Sequence, residues 1–181
     1  AKHALLRQLQ NCMKRSGTDG WELELFDQNP FVWRVRLYDF PETSLLAQDL
    51  EIYDAKFNLG RDIIIELKFT GAYPNEPPAV RIVRPRLTYL SGNISFGGAF
   101  CVDFLNASNW NKYTFLDVLI TQLKKSLVDN GARIDLRTHI EYDEKVATDS
   151  FVRLQRMNTM QFPTVNQYSD KLFAFTASLA S

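Results

Sequence analysis

Four short segments in the first half of the chain alternate apolar and polar residues with a period of two, and this pattern restricts the fold more than any other feature. Trp21, Leu23 and Leu25 alternate with Glu22 and Glu24, and Trp33, Val35 and Leu37 with Arg34, Arg36 and Tyr38. Ile63, Ile65, Leu67 and Phe69 alternate with Ile64, Glu66 and Lys68, and Val80 and Ile82 make a shorter fourth run. Successive side chains of a strand point to opposite faces, so the pattern predicts an antiparallel meander with one packed and one wet face, covered by helices on one side. Leu5, Leu6, Leu9, Cys12 and Met13 predict a helix over residues 2–15, stopped by the polar and glycine residues 16–20. Leu116, Leu119, Ile120, Leu123 and Leu127 predict another over 115–128, with Asn130-Gly131 suited to end it. A further helix is expected over about 143–157, with Ala147, Phe151 and Leu154 on one face. The connection 39–60 is long, and a short helix over 44–54 is one reading of it; the tail from 162 to 181 is apolar but poorly periodic. The expected fold is α+β. A four-stranded antiparallel meander is flanked by an N-terminal helix (1–16) and a central helix inside a core of 20–137, with a C-terminal helical extension (138–181), all in one domain of 1–181.

The chain of 181 residues carries 21 Lys plus Arg against 21 Asp plus Glu. A neutral protein has no global field to draw it onto nucleic acid or anionic lipid, so neither is expected as a partner. Cys12 and Cys101 stand far apart and the histidines are only His3 and His139, too few for a zinc site, so no metal is expected. Sparse cysteine reads as a reducing compartment. No apolar run approaches the roughly 20 residues that span a bilayer and no secretory signal is evident, so cytoplasm or nucleus is expected. The sequons at Asn93 and Asn106 then read as chance matches. Cys12 falls on the apolar stripe of its helix and reads as a small buried hydrophobe. Cys101 is different. From 84 to 111 no periodicity persists, but Gly92, Gly97 and Gly98 cluster before the cysteine amid many apolar side chains. A long, packed, irregular loop is usually functional.

The turn at 73–78 (YPNEPP) places three prolines in five residues and stiffens the link between the third and fourth strands. The order of parts is N-terminal helix, meander, proline turn, long loop, GGAFCVDFLN at 97–106, Trp110 nine residues after Cys101, then an amphipathic helix. This order resembles the catalytic domain of ubiquitin-conjugating enzymes. WRVRLYDF at 33–40, YPNEPPAVRIV at 73–83 and SGNISFGGAFCVDFL at 91–105 resemble the Q-type branch, over roughly residues 20 to 157.

The resemblance implies that Cys101 takes ubiquitin from an activating enzyme as a thioester and passes it to a lysine amine of a protein substrate, alone or with a ubiquitin ligase. Thiolates are good nucleophiles and thioesters stay activated toward amines. Exchange between thioesters needs no ATP site, and no phosphate-binding GxxxxGK[ST] occurs; no cofactor is expected, the ATP being used by the upstream activating enzyme. Where the family commonly has His-Pro-Asn, this chain reads Ser91-Gly92-Asn93, eight residues before Cys101 at the asparagine. Asn93 is a candidate oxyanion donor; its other reading is a residue that satisfies the loop backbone. Asp103 matches an acidic position of the family. Asp135 corresponds roughly to a carboxylate that guides the lysine, or is a solvated surface aspartate. Ligase and activating-enzyme contacts map to Lys2, Arg7, Asn75, Lys112 and Tyr113; Asn75 stands where many relatives have an aromatic. Arg34 and Arg36 on the wet sheet face offer a second ubiquitin site or simply a solvated face, and Trp110 reads as core.

Two other functions fit parts of the pattern. A non-catalytic ubiquitin- or protein-binding module of the same fold would keep the proline turn but usually lacks the cysteine. A cysteine hydrolase would pair Cys101 with His139 as base, which requires the two within hydrogen-bond reach.

Overall fold

The computed structural model describes residues 2–159. Helix α1 (Lys2–Arg15) leads into strands β1 (Trp21–Leu25) and β2 (Val32–Leu37). Helix α2 (Leu45–Phe57) then precedes β3 (Ile63–Lys68) and β4 (Ala79–Arg84), and α3 (Leu116–Asp129) and α4 (Glu144–Thr159) complete the order. The sheet is the expected antiparallel meander, β1-β2-β3-β4. Its register puts Trp33 between Leu25 and Leu67, and Val35 between Leu23 and Ile65, so the apolar alternates stack across strands. Trp21, Trp33, Val35, Ile65 and Leu67 are wholly buried, as are Leu116, Leu119, Ile120, Leu123 and Leu127 of α3. Burying each such side chain contributes about 1.5–3 kcal/mol. The stripe of α1 is narrower than expected: Leu5 and Cys12 are buried while Leu6 and Met13 face water.

Helix α2 bears out the reading of a helix in this connection and runs three residues past the expected end, to Phe57. Ser44 caps it, its Oγ accepting the Ala47 N–H at 3.2 Å, and Asn58 ends it in the left-handed region at φ 55°. Its principal anchor is Asp49, only 2% exposed. The carboxylate accepts Arg133 Nε at 2.6 Å and Nη2 at 2.9 Å, and also the Ile134 N–H at 3.0 Å. Lys56 Nζ adds a bond to Leu136 O at 2.9 Å. The segment so held runs antiparallel to the start of the long loop: Thr88 N–H donates to Arg133 O, and Asp135 N–H to Arg86 O, both at 2.8 Å.

The expectation that helices cover only one side of the sheet is corrected by α4. Glu144 bonds Lys68 Nζ at 2.7 Å, and Ala147 is buried, so α4 lies across the outward face of β3 and β4. That face can be covered because its charges are already matched. Glu66, 4% exposed, sits between Arg81 Nε at 2.9 Å and Arg34 Nε at 3.4 Å. Arg34 also stacks on the Phe26 ring, and Arg36 bonds Glu22 at 2.8 Å, so both arginines are engaged within the fold. The tail expected from 162 onward, and with it the end of the C-terminal extension, lies outside the described residues.

Removing the arginine that holds a buried carboxylate bidentately strands that carboxylate. Arg133→Met is therefore expected to lower stability by about 3 kcal/mol, seen as a shifted midpoint in urea unfolding.

Candidate active site

The long loop folds into a small hairpin that ends on Cys101. Ile94 pairs with Phe100, Ser95 N–H donates to Ala99 O at 2.8 Å, and Cys101 N–H donates to Asn93 O at 2.8 Å. The returning arm adds to the free edge of β4. Ile82 N–H donates to Gly98 O at 2.8 Å, Phe100 N–H to Val80 O at 3.0 Å, and Ala99 pairs with Arg81. The sheet thus fixes the backbone at Cys101, and the hairpin covers an edge that would otherwise expose unpaired amides.

Both turn glycines have a steric reason. A Cβ on Gly97 would lie 2.6 Å from Val146 O in α4, and one on Gly98, at φ +93°, 2.7 Å from the Tyr142 ring. Tyr142 is itself tied in, its hydroxyl accepting the Leu87 N–H at 3.0 Å. The Gly-Gly pair lets the hairpin press onto the segment leading into α4 and onto the helix itself.

Cys101 is solvent-exposed and free. It lines a depression of about 90 Å³ with Phe100, Asp103, Leu105, Asn106, Phe151 and Leu154. Phe151 and Leu154 come from α4, and nothing in their sequence spacing distinguishes a helix that packs on a sheet from one that also walls a cysteine. Partial burial of the sulfur pushes the Cys101 thiol above its ordinary value, and the Ser95 main chain pulls it partly back. The thiol lies 3.8 Å from Ala99 O. Cys12 is wholly buried and its thiol is pushed up to about 12, first by burial and then by Asp117. The two cysteines are thus opposite in kind, one inert in the core and one at the surface.

Asn93 is brought directly beside Cys101 by their main-chain bond. Its backbone is left-handed at φ 55°, a conformation asparagine tolerates, and among the described residues its carboxamide has no hydrogen-bond partner. Asp103, exposed, opens a 3₁₀ turn (Asp103–Leu105), with Asn106 N–H on its carbonyl at 3.0 Å. Asp135 belongs to a neighbouring depression of about 130 Å³ on the other flank of the hairpin, with Ile94, Ser95, Phe96 and Tyr142. Arg137 grips its carboxylate through Nε at 2.8 Å and Nη2 at 2.9 Å, which holds Asp135 below the usual carboxylate range. Its charge is therefore committed locally. His139 packs its ring on Phe57 of α2, at 5.3 Å between centroids, and does not line the depression at Cys101. The hydrolase reading consequently lacks its base. Among the described residues no group of three or more His, Cys, Asp or Glu is placed to hold a metal.

Lys2, Arg7, Asn75, Lys112 and Tyr113 are all exposed. The segments that carry them are joined. Gln8 of α1 donates to Thr114 O at 3.4 Å and accepts the Leu116 N–H at 3.1 Å, while Trp110 Nε1 donates to Pro74 O at 2.8 Å. Trp110 is therefore a half-buried strut between the post-cysteine loop and the proline turn. A cavity of about 730 Å³ between α2 and the ends of β2 and β3 contains none of these residues.

A raised thiol pKa predicts that alkylation of Cys101 by iodoacetamide still accelerates above pH ~8.5, where a free cysteine is half ionised. Cys12 is expected to stay unmodified until the protein unfolds. Mass spectrometry of tryptic peptides across the pH series checks both.

No family model matches the chain. Among curated ubiquitin-conjugating enzymes, Q-like protein 1 of Mus musculus and of Homo sapiens is 31% identical to it over 112 residues, covering 62% of this chain and 65% of those proteins. Over 137 residues the chain is 29% identical to ubiquitin-conjugating enzyme E2 Q1 of the same two species, covering 74% of this chain and 32% of theirs. The matches thus span just under two thirds of the first pair of curated relatives and about a third of the second. A crystal structure of a ubiquitin conjugating enzyme E2 from Plasmodium falciparum superposes with a TM-score of 0.53 at 19% identity, over 71% of this chain and 84% of that one. Human ubiquitin-conjugating enzyme E2 G1 does so with a TM-score of 0.52 at 19% identity, over 70% and 93%. The chain has the fold of the ubiquitin-conjugating enzymes and is a sequence relative of their Q-type branch.

Proposed function

We propose that the chain is a ubiquitin-conjugating acyltransferase with Cys101 as its thioester nucleophile. The observation that carries this reading is the pairing of the exposed Cys101 with Asn93 across a hairpin anchored to the sheet edge. In loading, Cys101 Sγ attacks the thioester carbonyl between the modifier and the activating enzyme; the new C–S bond forms, the old one breaks, and the departing thiolate takes up a proton. In transfer, a lysine nitrogen attacks the carbonyl carbon and oxygen gains negative charge. Collapse forms the amide and expels the Cys101 thiolate, and the amine proton goes to solvent. The Asn93 carboxamide, free of other partners among the described residues, donates to the oxygen as its charge develops. A thiol with a raised pKa is mostly protonated at neutral pH, so loading accelerates with rising pH.

Ubiquitin, its activating enzyme and a protein substrate are the partners of this reading. A ligase would engage the surface of Lys2, Arg7, Asn75, Lys112 and Tyr113, which Gln8 and Trp110 hold together. Asn75 offers that surface an amide instead of an apolar anchor, so the ligase it suits is a more polar one. Asp103 lies in the thiol's depression and is the better placed acid to receive an incoming lysine, while Asp135 acts through its pairing with Arg137 on the far flank. The reading needs no bound cofactor, and it puts the protein in cytoplasm or nucleus, away from nucleic acid and membrane. No described helix is long and apolar enough to cross a membrane.

Incubation with activating enzyme, ATP and ubiquitin is expected to give a reductant-labile adduct on the wild type and a reductant-resistant ester on Cys101→Ser, resolved on non-reducing and reducing gels. Cys12→Ala is expected to load normally. Absence of any wild-type adduct would favour a non-catalytic binding module. In the discharge step, Asn93→Ala is expected to slow transfer to free lysine by about 10²-fold, and loading far less.

A further inference from the structure

This inference rests on the acyl-transfer reading and concerns how its amide is held in place. No described residue grips the Asn93 side chain, so the backbone on either side sets its position. On one side lies the bond from Cys101 N–H to Asn93 O at 2.8 Å. On the other side is Ser91, whose hydroxyl joins two strands of chain. It accepts the Arg133 N–H at 3.1 Å and the Thr88 hydroxyl at 3.1 Å, and its own proton goes to Thr88 O at 3.0 Å or Arg133 O at 3.3 Å. Gly92 follows, its N–H on Asn130 O at 3.1 Å; a Cβ there would lie 2.8 Å from the Ala132 side chain. The loop therefore rests directly on residues 130–133. Arg133 is itself immobilised by the buried Asp49 through two charge-assisted bonds. A path runs from α2 to the candidate nucleophile: hydrogen bonds link Asp49 to Arg133 and Arg133 to Ser91, the chain passes through Gly92 to Asn93, and Asn93 O bonds Cys101 N–H.

We propose that Ser91, backed by the Asp49–Arg133 pair, is a positioning residue that sets the Asn93 carboxamide against the carbonyl oxygen on Cys101 during attack by lysine. Without the hydroxyl, the loop keeps its glycine seat but loses the bonds that fix its height above residue 133. The left-handed Asn93 is then free to swing about Gly92. A displacement of about 1 Å at a reacting centre is enough to slow a reaction as much as 10²-fold. Loading is affected less, because the exposed sulfur and the β4 pairing that carries it are untouched.

The test uses the full chain, charged with ubiquitin by activating enzyme and ATP, quenched, and then mixed with free lysine over a range of concentrations. Ser91→Ala is expected to load within about twofold of wild type but to discharge about tenfold more slowly at saturating lysine, with the half-saturating concentration unchanged. Ser91→Thr, which keeps the hydroxyl, is expected to restore the rate. Because Ser91 acts through Asn93, the double variant Ser91→Ala/Asn93→Ala is expected to be no slower than Asn93→Ala alone. Wild-type discharge by Ser91→Ala, a Ser91→Thr variant as slow as Ser91→Ala, or fully multiplicative losses in the double variant would each overturn the proposal while leaving Cys101 as nucleophile. Failure of the wild type to form a labile adduct would overturn the acyl-transfer reading and this proposal with it.

Discussion

The pairing of Asp49 with Arg133 is the constraint on which the candidate site most depends. A carboxylate that is almost wholly buried is tolerated only when charge and hydrogen bonds compensate it. Here two guanidinium bonds and one backbone N–H do so. The partners are 84 residues apart in the chain, so the pair ties the helix between β2 and β3 to the segment that follows α3. That segment in turn supports the loop leading to Cys101. A single ion pair thereby links the insertion after β2 to the geometry around the sulfur.

The second constraint is the edge of β4. Strand edges must be covered or blunted, and this fold uses the hairpin that ends on Cys101 to do so. The same pairing that protects the edge holds the cysteine backbone still. Pressed from the other side by Tyr142 and α4, the turn has room only for glycine at positions 97 and 98. Stiffness at the thiol therefore comes from main-chain pairing and close packing, and it is burial that sets the sulfur's shift, offset in part by the Ser95 main chain. A partly buried site favours the neutral thiol.

Helix α4 changes the character of the outward sheet face. Arginines 34 and 36 read from sequence as a second ubiquitin site or simply a solvated face; in the fold Arg34 pairs with Glu66 and Phe26, and Arg36 with Glu22 and Tyr38. α4 then covers the β3–β4 half of that face and carries Phe151 and Leu154 on to the cysteine. The helix thus serves the sheet and the thiol at once.

Period-two alternation was enough to specify the meander, and period 3.6 the helices α1, α3 and α4, because both report local geometry repeated over several residues. The asymmetry of the cysteines was equally legible: Cys12 lies on an apolar stripe, whereas Cys101 follows glycines in an aperiodic loop. Asn93 was legible by its spacing from Cys101, while the hairpin bond that makes them neighbours was not. The extent of α2 was obscure since its stripe is weak and its anchor is the charged Asp49, which a periodicity reading assigns to solvent. Ser91 was legible only as a departure from the family's His-Pro-Asn triplet, nothing in the sequence placed Arg133, Phe151 or Leu154 near the site, and Asp135 emerged bound to Arg137 on the hairpin's other flank. Local pattern determines which face of each element is apolar. Only tertiary structure decides which distant groups meet, because pairing of buried charges and close backbone approaches depends on contacts between residues that no sequence period relates.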